Sequence, residues 1–264
     1  MKILFIGDIS ARPGRKTVKD ILPKIKEKYK PDVVIANCEN AAGGIGISKD
    51  ILKELQGYGI DYFTGGDHVW AIKEFREELY DISLPIVRPY NYEGSDKLPG
   101  KYFDIIDLGA KGRLAIITLL GQVFMKNFNR SPFWAIDELL EILHKDPNFP
   151  KTIIIDFHAE TTSEKLCLGN YLKDRITALV GTHTHVPTCD ERLMGQMAYV
   201  TDVGMVGALD SSLWIEFEIA THNLKYPYKK VYEPEENGKM VFNSVLITEE
   251  EGKAKKIERI DVIK

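Results

Sequence analysis

Residues 176–185 read Ile176-Thr177-Ala178-Leu179-Val180-Gly181-Thr182-His183-Thr184-His185, an apolar run that leads directly into two histidines two positions apart. The run has the length and β-branched content of a buried strand. On a strand or its extension, residues two apart point to the same face, so His183 and His185 would aim two imidazoles at one place. The chain has only six histidines, and such a pair has the geometry of a metal site.

Three other apolar runs also end in residues suited to metal ions: Ile3 to Ile6 before Gly7-Asp8, Val33 to Ala36 before Asn37-Cys38-Glu39-Asn40, and Ile153 to Ile155 before Asp156-Phe157-His158. Tyr62-Phe63-Thr64-Gly65-Gly66-Asp67-His68 is a weaker fifth case. In an open α/β sheet, ligands collect where the carboxyl ends of the strands and their loops converge. Five scattered segments can therefore build one pocket.

Composition narrows the setting. A chain of 264 residues can bury a sizeable core as one large domain or two small ones. No run approaches the roughly 18 apolar residues of a membrane span, and Met1-Lys2 leads straight into a strand, so a cytoplasmic location is expected. Cys38, Cys167 and Cys189 are odd in number and widely spaced, which argues against a disulfide framework or a thiolate zinc site. The formal net charge of −4 gives no broad electrostatic case for holding nucleic acid, although a local basic patch stays open.

The order of elements supports an α/β class. Lys2 to Gly7 predicts a strand, Gly14 to Tyr29 an amphipathic helix despite Pro23, and Asp32 to Ala36 a strand. Ser48 is placed to cap a helix running to about Gln56, after a Gly43-Gly44-Ile45-Gly46 turn that lacks the Lys-Ser/Thr of a phosphate-binding loop. Tyr102 to Leu108 and Arg113 to Leu120 predict neighbouring strands around Gly109 to Gly112. Asp137 to Lys145 reads as a helix, and Thr161-Thr162-Ser163-Glu164 has capping-box spacing for the next. The last third is β-rich at Ala198 to Val203, Ser212 to Ile219, Met240 to Ile247 and Ala254 to Ile263. The economical reading is one domain over residues 1–264 in which a second sheet packs on the first, with a small cap within 205–240 as the minority view.

Taken in order, Gly7-Asp8-Ile9, Asn37-Cys38-Glu39-Asn40, Gly66-Asp67-His68, Asp156-Phe157-His158-Ala159-Glu160 and Gly181-Thr182-His183-Thr184-His185 resemble the motif set of calcineurin-like metallophosphoesterases. More narrowly they resemble the bacterial YmdB-like phosphodiesterases, from residue 1 to about Gly207 and weakly beyond. The resemblance implies a four-layer α/β/β/α sandwich and two metal ions per chain, iron or manganese, with zinc as a further candidate. It makes Asp8 and His185 ligands of one ion with Asn40 nearby, Glu39 a bridge, and Asp67, His158 and His183 ligands of the second. His68 would be the general acid, a bridging hydroxide the nucleophile, and a small phosphodiester such as a cyclic nucleotide the substrate. A homo-oligomer is expected on the same ground. Two departures stand out: Ser10 replaces the histidine of the common Asp-x-His opening, as in the YmdB-like branch, and Asp67 stands where the family usually has Asn. An ionised Asp67 would make the centre less cationic.

Each residue also has a plainer reading. Asp8 or Asp67 can cap a helix, Glu39 can be an exposed turn acid, Asn40 can shape a turn and His68 can only position substrate. Three histidines at strand ends are harder to pack without partners. Asp156 and Glu160 read as groups that orient the ligating imidazoles, and His144 and His222 as ordinary packing or solvated residues. Two other functions remain: a phosphomonoesterase, and a metal-binding regulatory protein with little turnover.

Overall fold

The computed structural model describes residues 1–125 and 129–264. Short apolar runs alternate with helices in its first half: β1 (Lys2–Ile6), β2 (Asp8–Ile9), α1 (Ala11–Tyr29), β3 (Val33–Asn37), α2 (Lys49–Gly57), β4 (Tyr62–Thr64), α3 (Lys73–Glu78) and β5 (Ile86–Val87). A second series follows as β6 (Phe103–Asp107), β7 (Arg113–Leu120), α4 (Pro132–Leu143), β8 (Thr152–His158), α5 (Thr162–Leu172), β9 (Ala178–Thr182), β10 (Arg192–Met194) and β11 (Met197–Val200). The chain closes with β12 (Met205–Ala208), α6 (Phe217–Lys225), β13 (Met240–Phe242), β14 (Ser244–Glu250), β15 (Lys253–Arg259) and β16 (Val262–Ile263).

Two six-stranded sheets carry the architecture, ordered β15-β14-β1-β3-β4-β5 and β10-β11-β9-β8-β7-β6. Their strands are apolar on both faces because each sheet is covered twice. Ile3, Phe5, Val33 and Ile35 of the first sheet meet Leu114, Ile116, Ile154 and Val180 of the second in one buried cluster. The alternate residues Leu4, Ile6, Val34 and Ala36 pack against Val18 and Leu22 of α1 and Leu52 and Leu55 of α2. On the far side, Ile117, Ile153, Ile155 and Leu179 pack against Ile136 and Leu139 of α4 and Leu168 and Leu172 of α5. The four layers are therefore α/β/β/α. β1, β3, β4 and β5 run parallel, as do β7, β8, β9 and β11, so each sheet gathers several carboxyl ends at one edge.

A third sheet of four short strands, β16-β13-β12-β2, was not foreseen. The first apolar run changes sheet at Gly7, whose N–H donates to the Asn243 carbonyl at 3.1 Å. A Cβ there would lie 2.0 Å from the Gly204 oxygen, so only glycine allows this crossing. The crossing sends Asp8 away from the first sheet and beside Met205. Asn243 makes the mirror crossing, and the expected single strand from Met240 to Ile247 is split there into β13 and β14.

Other boundaries moved for identifiable reasons. The helix α1 begins at Ala11 rather than Gly14, since Pro13 in the first turn has no N–H to leave unpaired. Likewise α4 begins at Pro132, five residues before Asp137. Ser48 does cap α2, accepting from the Ile51 N–H at 3.4 Å. The capping box before α5 does not form, because Glu164 instead accepts from the N–H groups of Gln122 (2.9 Å) and Val123 (3.3 Å). The second sheet comes mainly from residues 103–200, whereas β14 and β15 return to the first. Ser212 to Ile219 is not a strand: Leu213 and Trp214 take positive φ values of 63° and 127° in a turn, and α6 starts at Phe217.

At the end of β9, Lys165 of α5 is completely buried and donates to Asp202 at 2.7 Å and to the Thr182 carbonyl at 2.8 Å. Asp202 in turn accepts the Thr184 N–H at 3.1 Å and the Gly204 N–H at 2.8 Å. This pair ties down the segment that carries His183 and His185. Replacing Lys165 by Met leaves Asp202 as an uncompensated buried charge and should lower stability by about 3–5 kcal/mol in urea unfolding. The exposed pair Lys145–Glu141 serves as control, and its removal should give no measurable change. Equal effects at the two pairs would show that Lys165 is not essential to the segment.

Candidate metal centre

All eight predicted site residues lie at carboxyl ends of parallel strands. Asp8 follows β1, Glu39 and Asn40 follow β3, and Asp67 and His68 follow β4 on the first sheet; His158 ends β8, and His183 and His185 follow β9 on the second. The junction of the two sheets brings them together. Asp8, Glu39 and His158 are fully buried, while the His68 side chain is 37% exposed.

On one side, His158 Nε2 lies 3.1 Å from Glu39 Oε1, 3.2 Å from Asp67 Oδ1 and 3.0 Å from His183 Nδ1. On the other, His185 Nε2 lies 3.6 Å from Asp8 Oδ1 and 3.1 Å from Asn40 Nδ2. His183 and His185 thus serve different groups. The strand alternation expected for them does not operate, because β9 ends at Thr182 and the two residues have positive φ values of 96° and 64°. Asn40 turns its amide nitrogen toward His185, and its oxygen lies 2.9 Å from His68 Nδ1. His68 also reaches Glu39 Oε1 at 3.3 Å through Nδ1, and its backbone N–H donates to Glu39 Oε2 at 3.0 Å. Gly66 makes the close approach feasible, since a Cβ there would stand 2.4 Å from Glu39 Oε2.

A ring of acceptors decides which nitrogen of each imidazole faces inward. Thr182 donates its hydroxyl to Asp156 Oδ1 at 2.6 Å, so Thr182 Oγ1 must accept His158 Nδ1–H at 2.9 Å. His183 Nε2 pairs with Glu160 Oε2 at 3.1 Å, and His185 Nδ1–H donates to the Leu213 carbonyl at 2.8 Å. Each imidazole is left with one lone pair directed at the carboxylates. Asp156 is held by Thr64 (2.5 Å), Asn37 (3.0 Å) and Thr182, and burial pushes its carboxyl up to about 6. Glu160 and Asp156 thus orient histidines as expected, Asp156 acting through Thr182. Thr64, Thr182 and the Leu213 carbonyl went unread. The two threonines are polar residues at the ends of otherwise apolar buried strands, which was the available signal.

The charge balance of this cluster calls for cations. Burial opposes the ionisation of Glu39 and Asp8, yet His158 and His68 carry Glu39 well below the usual carboxylate range, and His185 and His158 bring Asp8 down. Burial likewise opposes a proton on His158, but Glu39 and Asp67 push it well above an ordinary histidine. His183 goes down, through burial and the neighbouring His158. Among the described residues, Asp8 Oδ1 is buried without a hydrogen-bond partner. Donor atoms about 2.0–2.1 Å from one ion at right-angled to tetrahedral spacing lie about 2.8–3.4 Å apart. The spacings around His158 fall near that range, and the donor set of carboxylates and imidazoles fits borderline divalent ions. Asp67, His158 and His183 form one such group, and Asp8, Glu39 and His158 another. His144 and His222 lie apart, packed on Phe149 and on Tyr226 and Tyr228.

The profile of a family described as YmdB-like protein matches residues 4–260. A Bacillus subtilis protein named 2',3'-cyclic-nucleotide 2'-phosphodiesterase is 42% identical over 264 residues, covering 98% of this chain and 96% of its own. Two crystal structures are also similar across the whole chain. One, of a phosphatase from Mycoplasma pneumoniae, has a TM-score of 0.91 at 31% identity and is covered over 93% of its length. The other, of a hypothetical protein from Thermus thermophilus, has a TM-score of 0.89 at 36% identity and is covered over 99%.

The role given to Thr182 can be tested by Thr182→Val, which keeps the shape and removes the hydroxyl. Metal affinity in competition with a chelator should fall about 10–100-fold. Stability should fall by about 1–3 kcal/mol as Asp156 loses a buried donor. Unchanged metal affinity would mean that Thr182 does not set the His158 tautomer.

Proposed function

The chain belongs to the YmdB-like protein family, and from that premise we propose that it is a dinuclear-metal phosphodiesterase acting on small phosphodiesters, cyclic nucleotides among them. One observation carries the reading: Glu39 is shared by two donor groups, its Oε1 3.1 Å from His158 on the Asp67–His183 side and a carboxylate oxygen within 4.8 Å of one on Asp8, the partner of His185, on the other. The name of the Bacillus subtilis relative supports a diester over a monoester. The name of the Mycoplasma pneumoniae phosphatase favours the monoester as the second reading.

Asp67, His158 and His183 would hold one ion and Asp8 and His185 the other, with Glu39 shared. Metal ions in these positions supply positive charge against the phosphoryl oxygens and activate the attacking water. The chain's own residues do the rest. Glu160, the Thr182–Asp156 pair and the Leu213 carbonyl hold the three imidazoles in one tautomer each. Asn40 binds His68 Nδ1 and turns its Nε2 outward, 3.9 Å from Asp67 Oδ2, where a leaving oxygen can take its proton. As the chain presents it, Asn40 positions His68; ligation through its oxygen would require the amide to turn over. Asp67 in place of an amide lowers the positive charge of the centre, which should make the activated water less acidic.

Elemental analysis of protein purified without added metal tests this reading, together with turnover of a diester and its matching monoester after loading with iron, manganese or zinc. The expected result is near two ions per chain and preference for the diester. Glu39→Ala should lose both metal and turnover while its circular dichroism stays native. One ion per chain would replace the proposal by a mononuclear reading, preference for the monoester would replace it by the phosphatase reading, and no ion at all would overturn the metal assignment.

His68→Ala should keep its metal and lose about 10²–10⁴-fold in turnover on a diester with a poor leaving group. A nitrophenyl diester needs less protonation and should lose less. Equal losses on both substrates would make His68 a positioning residue.

A further inference from the structure

The segment after β5 contains a buried cation that forms no ion pair among the described residues. Arg88 is 1% exposed, and it donates to the Pro89 carbonyl (2.8 Å), Ser95 Oγ (2.5 Å) and the carbonyls of Ser95 and Leu98. Its guanidinium lies 5.2 Å from the ring of Tyr102 and 5.9 Å from that of Trp70. Trp70 donates its indole N–H to the Pro99 carbonyl at 3.2 Å and holds its ring 4.8 Å from Tyr92. These contacts form a continuous stack, Tyr102–Arg88–Trp70–Tyr92.

The Tyr92 end of the stack lies at the metal centre. Trp70 is two residues beyond His68. Asn91, beside Tyr92, accepts the Leu120 N–H at 2.8 Å and donates to the Leu120 carbonyl at 2.8 Å, and Leu120 is the register partner of His158. Tyr92 is therefore held between the loop that carries His68 and the strand end that carries His158. It is 8% exposed, and among the described residues its hydroxyl makes no hydrogen bond. Burial first, then the nearby Asp67 and Glu39, oppose its ionisation, so it remains a donor. Phenylalanine would fill the same space. Although the residue is largely buried, its hydroxyl oxygen is not among the sealed, unpartnered polar atoms of the described residues, so it is open to an incoming ligand, and the acceptor expected over this centre is a phosphoryl oxygen.

We propose that the Tyr92 hydroxyl contacts substrate, donating a hydrogen bond to a non-bridging oxygen of the phosphoryl group. This deepens the phosphodiesterase reading and rests on it. No metal ligand takes part in the contact, so its loss should weaken phosphoryl binding without releasing metal.

Tyr92→Phe keeps the ring and its stack on Trp70. For the metal-loaded variant and the parent protein, the measurements are metal content, thermal midpoint, calorimetric affinity for inorganic phosphate, and kcat and KM on a diester. Metal content and midpoint should match the parent, while phosphate affinity falls about 10–100-fold, as expected for a hydrogen bond to a charged group. Unchanged phosphate affinity would overturn the proposal, as would a loss of metal in parallel, which would make Tyr92 part of the scaffold. Reduced phosphate affinity in the variant when the parent hydrolyses no diester would uphold the contact and reject the phosphodiesterase reading. Full diester turnover in the parent with unchanged variant kinetics and phosphate affinity would do the reverse.

Discussion

Burial of carboxylates against imidazoles is the constraint on which this structure turns. Asp8 and Glu39 have no exposed surface, and Asp67 is only 20% exposed at its side chain. Ionised carboxylates in such surroundings are strongly disfavoured unless positive charge meets them. His158, His185 and His68 are drawn toward protonation by these acids, against the burial that opposes it in each ring. Metal ions answer the same demand with neutral imidazoles, and that exchange links the stability of the centre to its chemistry.

The fold meets this demand by joining two parallel edges. A single sheet would supply Asp8, Glu39 and Asp67 without the histidines of β8 and β9. Packing Ile3, Phe5 and Ile35 against Ile116, Ile154 and Val180 sets the distance between the edges and hence the spacing of the donors. Crossing at Gly7 then removes Asp8 from the line of β1.

Backbone strain is concentrated at the same place. His183, His185, Leu213 and Trp214 all have positive φ, a conformation that non-glycine residues adopt at about 1–3 kcal/mol each in sparsely populated regions. Surrounding contacts hold them there: Lys165 and Asp202 beneath the His183 turn, and Ser211 Oγ accepting the Trp214 N–H at 2.9 Å beside the Leu213 carbonyl. In this centre the strained backbone aims individual nitrogens, which a regular strand cannot do for neighbouring histidines.

The sequence by itself determined the class of fold and carried the acidic and histidine side chains that the structure gathers. Apolar runs of strand length ending in Asp8, Glu39, Asp67 and His158 mark the parallel strands, because side chains at strand ends are the ones that leave the core. Pro13 and Pro132 are local marks of the starts of α1 and α4, whereas the failed capping box at Thr161 and the turn at Leu213 were not legible, since each depends on a partner distant in sequence. Glu164 is taken by Gln122, and the Ser211–Ile215 turn is closed against His185. Residue spacing by itself did not show which histidine joins which carboxylate, although the family resemblance had implied the grouping of His185 with Asp8 and of His158 and His183 with Asp67. Strand alternation would put His183 and His185 on one face, but two left-handed residues held by a buried ion pair send them to different groups. Tertiary structure decided the tautomers, because the acceptors that set them reach the rings through contacts distant in sequence: Thr182 Oγ1 and Glu160 through the pairing of β8 with β9, and the Leu213 carbonyl through the turn after β12.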